Sequence, residues 1–460
     1  MNKFLLISAA LSSLLMAKTV NFDTVLNESL SNNLELKAKK LNIDKAKADL
    51  KTAKGYDLGK LIFTEEISRS NNALYVFGMK LESREATFKD FGFSDFLMAW
   101  GSGATPDQLL AIQPKDLNYP GARSNFKTKF VYEVPIFTGF KLKYAKEMAK
   151  LQVIANKFKY ANDKNRLAIE VLKAYNGAVA AKYFISALKK AKETTASFVK
   201  MIENFKKVGM ATDTDLLQAK KRDSEVDAML TEAKNKYALA LSYLRFLSGD
   251  DEISDVGDFK VIVSPDSDLK DLKKAALKNR NDLKWMQKNV ETMQKKVKMD
   301  SSVKYPMIGA HLEYGWNDNQ LNNIDSDKDY FVAAVGLNYT IFDNSEKAKI
   351  EKSKIEAMQT AYYYKYMKKG IALQVEQKYL DLQAKAAVLK NKIVNKDLAE
   401  EILNKYTYMY KQGMINMTIL LMKEADARKA RAELIKAKYD EALAAAELKA
   451  AIGDLVKESK

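Results

Sequence analysis

The chain has no cysteine, one histidine and only six prolines in 460 residues. Without cysteine there is no disulfide, no zinc–thiolate centre, no iron–sulfur cluster and no lipidated cysteine anchor. The lone His311 excludes a multi-histidine metal site. So few prolines point to long uninterrupted helices rather than a loop-rich enzyme. Gly-rich phosphate loops, nucleophile elbows and paired-histidine motifs are also missing, so neither an enzyme nor a cofactor or metal is expected. Past the N-terminus no stretch reaches about 18 uncharged apolar residues, which excludes an α-helical membrane span. A soluble protein or one that spans by β-strands remains.

What is present is an ordinary folding composition, 47% hydrophobic and 10% aromatic. The net charge of +17 does not form basic blocks interleaved with aromatics. Lysines sit on helical patterns beside Glu and Asp, as on solvated faces, so nucleic acid is not an expected partner. Residues Met1–Ala17 read as a secretory signal: Lys3 charges the start and Phe4–Leu15 is the apolar run. Cleavage is expected after Ala17.

The rest is a duplication. Pro135-Ile136-Phe137-Thr138-Gly139 matches Thr340-Ile341-Phe342-Asp343-Asn344, and each opens a long helical run. Gly209 follows Phe137 by 72 residues, and Gly413 follows Phe342 by 71. The next helix closes at Gly249 and Gly453, each 40 residues farther on. Val208-Gly209-Met210-Ala211-Thr212 pairs with Gln412-Gly413-Met414-Ile415-Asn416. Such equal spacings mark internal repeats. Repeat one is expected over 18–248, with strands near 61–79 and 124–137, a long helix 139–208 and a second helix 213–248. A linker covers 249–265. Repeat two, 266–460, has strands near 303–316 and 329–342, a long helix 344–412 and a helix 417–452. A 70-residue helix spans roughly 100 Å, too long for a compact globule. The helix after each turn carries a seam with alternating steps of three and four, a coiled-coil period. Polar entries at Asp223, Lys423 and Glu441 mark a wet face.

The strands alternate. Phe126, Thr128, Phe130, Tyr132, Val134 and Ile136 share one face; Lys127, Lys129 and Glu133 take the other. Phe331 to Ile341 and Ile308 to Trp316 behave likewise, with His311 and Glu313 on the polar side. Leu61–Arg69 is the weakest strand. Ten-residue strands suit a tilted bilayer crossing, but four cannot close a barrel and open edges are forbidden in lipid. The barrel has to be shared between chains.

The duplicated order, the strand-to-helix signatures and Asp215-Leu216-Leu217-Gln218-Ala219 after Gly209 resemble the TolC family of outer-membrane factors. The resemblance covers essentially the whole mature chain. It implies an α+β, mainly α fold: a homotrimer with four strands per chain in a shared 12-stranded outer-membrane barrel and antiparallel helices forming a periplasmic α-barrel. Its implied partners are outer-membrane lipid, a periplasmic adaptor and an inner-membrane pump. Its implied function is the exit duct of a tripartite efflux system passing small molecules or metal ions. Ala73–Leu81 with Asn118-Tyr119-Pro120-Gly121 is similar to a subgroup associated with heavy-metal or multidrug efflux.

Two departures stand out. An aromatic-rich insert, roughly 80–123, lies between the first two strands and is expected at the exterior end. The helix after the second turn lacks an acid before Glu424, whereas Asp213 and Asp215 follow the first turn. Asp213 and Asp215 are therefore expected to carry the tip electrostatics, with Met414, Ile415, Met417 and Ile419 as an apolar gate or contact. As plain helix signals, the same two acids are an N-terminal cap and a first-turn charge. Val208, Gly209, Met210, Gln412, Gly413 and Met414 resemble the turns by which the family meets adaptor hairpins. Type I protein secretion is the competing use of such a duct, and a soluble periplasmic coiled-coil structural or adaptor protein is the alternative from another class.

Overall fold

The structure, a computed structural model, describes residues 18–263, 267–321 and 323–455; the expected signal at 1–17 lies outside them. A short strand β1 (Lys18–Val20) leads into helices α1 (Phe22–Asn32) and α2 (Leu34–Gly55). Strand β2 (Lys60–Ser70) is followed by four helices, α3 (Ala73–Glu82), α4 (Phe93–Gly101), α5 (Pro106–Leu110) and α6 (Lys115–Asn118). Strand β3 (Arg123–Thr138) opens the long helix α7 (Lys141–Lys207), which turns into α8 (Asp213–Ser248). After β4 (Ile253–Val256) the order repeats: α9 (Leu269–Asn279), α10 (Asn281–Asp300), β5 (Met307–Asp318), β6 (Asp329–Asn338), α11 (Asn344–Lys411) and α12 (Met417–Ala451).

The chain divides into two compact units. The first holds residues up to Lys45, 153–290 and from Thr360 onward. In it β1 pairs in parallel with β4, placing Lys18 opposite Ile253 and Val20 opposite Val256. Around this pair Phe22, Val25, Val171, Leu172, Tyr175, Leu244 and Leu247 form a buried core. The apolar steps of α7 and α8 thus close on each other beneath the β1–β4 ribbon.

The second unit, 46–152 and 291–359, contains an antiparallel sheet in the order β2-β3-β5-β6. Two expected boundaries are corrected here. The first strand does not run to residue 79. It ends at Ser70, and Asn72 accepts hydrogen bonds from the N–H groups of Leu74 and Tyr75 at 3.1 and 3.4 Å, opening α3. A continuous apolar run such as Ala73–Met79 has no period to separate strand from helix, and the cap decides. The insert therefore begins at residue 71. The last strand stops at Asn338 rather than 342. Its neighbour begins at Met307, which pairs with Asn338, because Pro306 has no N–H to extend the ladder.

Candidate functional site

Ladder partners share a face, so the register sorts the sheet directly. Leu61, Phe63 and Ile67 lie opposite Tyr132, Phe130 and Phe126. Tyr132 and Phe130 lie opposite Leu312 and Tyr314, and these opposite Ala333 and Phe331. The result is one apolar face across all four strands. It has no covering layer among the described residues: Phe331 is 78% exposed, Val335 71% and Ile67 64%. A water-soluble sheet would bury such a face, at about 1.5–3 kcal/mol per large side chain.

The opposite face is polar and laced together. Lys129 donates to Glu313 at 3.1 Å and the Tyr330 hydroxyl donates to the same carboxylate at 2.7 Å. Lys60 pairs with Glu133 at 2.6 Å, and Asn125 donates to Asn317 at 2.8 Å. His311 lies here too, 3.9 Å from Glu133 and 3.6 Å from Glu313. Near the helix-proximal end a concavity of about 1300 Å³ opens on this face, lined by Lys60, Glu133, His311, Gly336 and Asn338 with neighbouring residues. Among the described residues the outer strands β2 and β6 each have one paired side, so both sheet edges carry free backbone donors and acceptors.

The two helical turns have matching backbones. Met210 N–H donates to Phe205 C=O at 2.8 Å and Gly209 N–H to Lys206 C=O at 3.1 Å. In the second turn Met414 N–H donates to Met409 C=O and Gly413 N–H to Tyr410 C=O, both at 3.0 Å. Gly209 and Gly413 hold φ of 78° and 71°, the left-handed conformation this helix ending needs. Val208, Met210 and Met414 are exposed at the turns, as is Gln412 beside them.

The expected tip residues divide by role. Asp215 is half of a capping box: it accepts from Thr212 N–H at 3.0 Å and Thr212 Oγ1 at 2.7 Å, while its own N–H donates to Thr212 Oγ1 at 3.2 Å. Asp213 is exposed and paired with Lys206. Ile419 is half-buried, and its N–H donates to the capping Asn416 at 3.0 Å. Met417 departs from the expected gate. It is instead fully buried in a cluster with Phe198, Ile202, Leu403, Tyr410 and Leu420. An apolar residue one position past an N-cap can turn inward or outward, and only the packing of α7, α8, α11 and α12 decides.

The same packing shows a group that the sequence pattern leaves unmarked. Glu424 is 2% exposed, and its Oε2 has no hydrogen-bond partner. Burial pushes its carboxyl pKa up, partly countered by Arg428, Arg222 and Arg431. Arg428 Nε lies 3.3 Å from Oε1. Farther along, Asp223 accepts from Lys192 at 2.8 Å and from Thr195 at 2.7 Å, joining α8 to α7. Burial pushes Asp223 up, but those two bonds outweigh it and hold its pKa below the ordinary value. The signal in the sequence was a polar residue on an apolar seam, which marked Asp223 but could not name its partner.

Residues 272–454 match the family model described as Outer membrane efflux protein. No curated protein matches the chain in sequence. Solved structures match the fold over nearly its full length. The Campylobacter jejuni CmeC outer membrane channel is 15% identical, with 95% of this chain and 87% of that one covered and a TM-score of 0.77. CusC is 14% identical over 94% and 92%, also at 0.77. The open state of the Neisseria gonorrhoeae MtrE outer membrane channel is 14% identical over 95% and 90%, at 0.74. The fold of this chain is thus the TolC-like channel fold that the family resemblance implies.

Proposed function

We propose that this chain, an outer-membrane efflux protein on the family match of its second repeat, forms with two further copies the exit duct of a tripartite efflux system. The observation that carries the reading is the open sheet with an uncovered apolar face, a polar face behind it and two free edges. Water disfavours the apolar face, and lipid forbids the edges, since each unpaired backbone group costs several kcal/mol there. Closing β6 of one copy on β2 of the next satisfies both conditions. The resemblance to the TolC family sets the number at three. A second uncovered surface supports association. On α11, Tyr366, Leu373, Leu380, Val388, Val394, Ile402 and Tyr408 are all exposed, at steps close to the heptad of packed helices.

In this reading the apolar face meets outer-membrane lipid, the polar face lines the lumen, and the helices carry the passage through the periplasm. The cargo is small molecules or metal ions, delivered by an inner-membrane pump through a periplasmic adaptor. The chain itself needs no cofactor and performs no chemistry. The adaptor meets Val208, Gly209, Met210, Gln412, Gly413 and Met414, where apolar side chains stand exposed on two like turns. Asp213, Asp215 and Ile419 bias the entrance.

The test is conductance of detergent-purified protein in planar bilayers, with native mass read in parallel. Stable channels from a three-copy particle are expected, and a multivalent cation on the tip side should block them through Asp213. A protein that stays soluble without detergent and never inserts would instead be the periplasmic coiled-coil alternative.

A further inference from the structure

The insert between β2 and β3 is a folded body with its own small core. Val76 is 1% exposed, and Phe77 meets Phe91 edge-on with centroids 5.1 Å apart. Lys80 pairs with Asp90, which also accepts from Thr87 N–H at 2.8 Å. Burial pushes Asp90 up, but Lys80 and Thr87 prevail and hold its pKa at about 2.

The insert is tied to one particular face of the sheet. The Glu82 carboxylate accepts from Asn317 Nδ2 at 3.1 Å and lies 3.5 Å from Lys127 Nζ. Both partners stand on the polar face, directly opposite each other in the ladder. Glu85 accepts from Lys328 at 2.8 Å and pairs with Arg123. Arg84 donates to the carbonyls of Asp327 and Asp329 at 3.2 and 2.7 Å. The insert thus departs from the β2 edge and is latched across the polar face to the β5–β6 connection.

Beyond these latches the insert is apolar and uncovered. Helix α4 buries none of its residues. Met98 is 67% and Trp100 64% exposed, and Phe93 and Leu97 are exposed beside them. We propose that this surface is an interaction site for the same insert of the neighbouring copies, so that three aromatic inserts meet over the exterior mouth of the lumen. The inference rests on the channel reading above. In a closed barrel the apolar face must look outward, so everything latched to the polar face lies toward the shared axis, where the nearest apolar partners are its own copies. A lipid surface is the poorer occupant. Residues 71–122 carry six acidic and four basic side chains. Three of those cations are already paired, Lys80 with Asp90, Arg84 with Asp329 and Lys89 with Asp116. A segment held on anionic lipid needs free cations.

The cysteine-free chain makes the test clean. Phe93→Cys, Met98→Cys and Trp100→Cys are introduced singly into the full-length protein in membranes. Each is treated with copper-phenanthroline and oxygen, which oxidise two thiols to a disulfide, and separately with a short bis-maleimide. Leu312→Cys, on the apolar strand face, is the control. Covalent dimers at one or more insert positions but not at Leu312 are expected. Oxidised channels should conduct several-fold less than the same channels after a thiol reductant. An intact trimer with no cross-link at any of the three positions, and cysteines that react with a bilayer-confined maleimide, would place the insert in the lipid and overturn the proposal. Native mass separates the two levels: a particle that is not trimeric refutes the channel reading and this inference together, whereas a trimer without cross-links refutes this inference alone.

Discussion

Glu424 is a carboxylate placed where its charge is unwelcome. Its pKa is raised by burial, so the folded tip binds a proton that the unfolded chain releases near the ordinary 4.5. The sign follows: the associated stability is full below pH 4.5 and is lost as pH rises through the raised folded value. Amide exchange over residues 417–428, corrected for its intrinsic pH dependence, should therefore quicken toward alkaline pH. Glu424→Gln should remove that trend and slow exchange at pH 8. An unchanged profile in the variant would mean the arginines neutralise Glu424 completely. Asp213 and Asp215 also separate at this scale. Asp215→Ala should cost about 1 kcal/mol of tip stability through the lost capping box, read by the same exchange experiment. Asp213→Asn should leave exchange unchanged and weaken block by a multivalent cation. Equal block in wild type and Asp213→Asn would remove that residue from the entrance.

At the scale of elements, the two faces of the sheet ask opposite things of a lysine. Leu312→Lys puts a charge on the apolar face, where the cost near the bilayer midplane is about 2–4 kcal/mol. Val332 lies opposite Glu313 on the polar face, so Val332→Lys should be tolerated. Membrane fractionation and heat-resistant trimer bands report both; equal behaviour would mean the two faces do not meet different solvents, and the reverse order would mean the faces are assigned the wrong way round. The helices offer a parallel test. Helix α7 buries Val171, Leu172, Tyr175 and Val179 within the chain, whereas α11 leaves Leu373 and Leu380 more than half exposed. The two long helices are copies in sequence order but not in burial. Leu373→Glu with Leu380→Glu should release monomers in mild detergent while far-ultraviolet helicity persists.

For the whole molecule, assembly outward and assembly onward are separable. Met210→Glu with Met414→Glu alters only exposed turn side chains. The trimer and its conductance should survive while co-purification with a periplasmic adaptor falls at least tenfold. Loss of the trimer would show the turns to be structural, and undiminished adaptor binding would move that contact elsewhere.

Much of this was legible in the residues alone. Absent cysteine, scarce proline, equal glycine spacings and strand alternation are local properties of the chain, and they determined the duplication, the helix lengths and which strand face is apolar. Alternation has a period of two, so it survives without knowledge of any partner. Other features were not carried by periodicity. The end of the first strand was set by the neighbouring Asn72 cap, and the end of the last by Pro306, just before the strand it pairs with. The inward turn of Met417 and the unpartnered buried oxygen of Glu424 arise where helices pack at the tip, and the pairing of Asp223 with Lys192 where α8 packs on α7. The latch of Glu82, Arg84 and Glu85 joins residues more than 200 positions apart to Asn317, Lys328 and Asp329. A periodic pattern states which side of an element avoids water; only the tertiary structure decides what stands on that side to replace it.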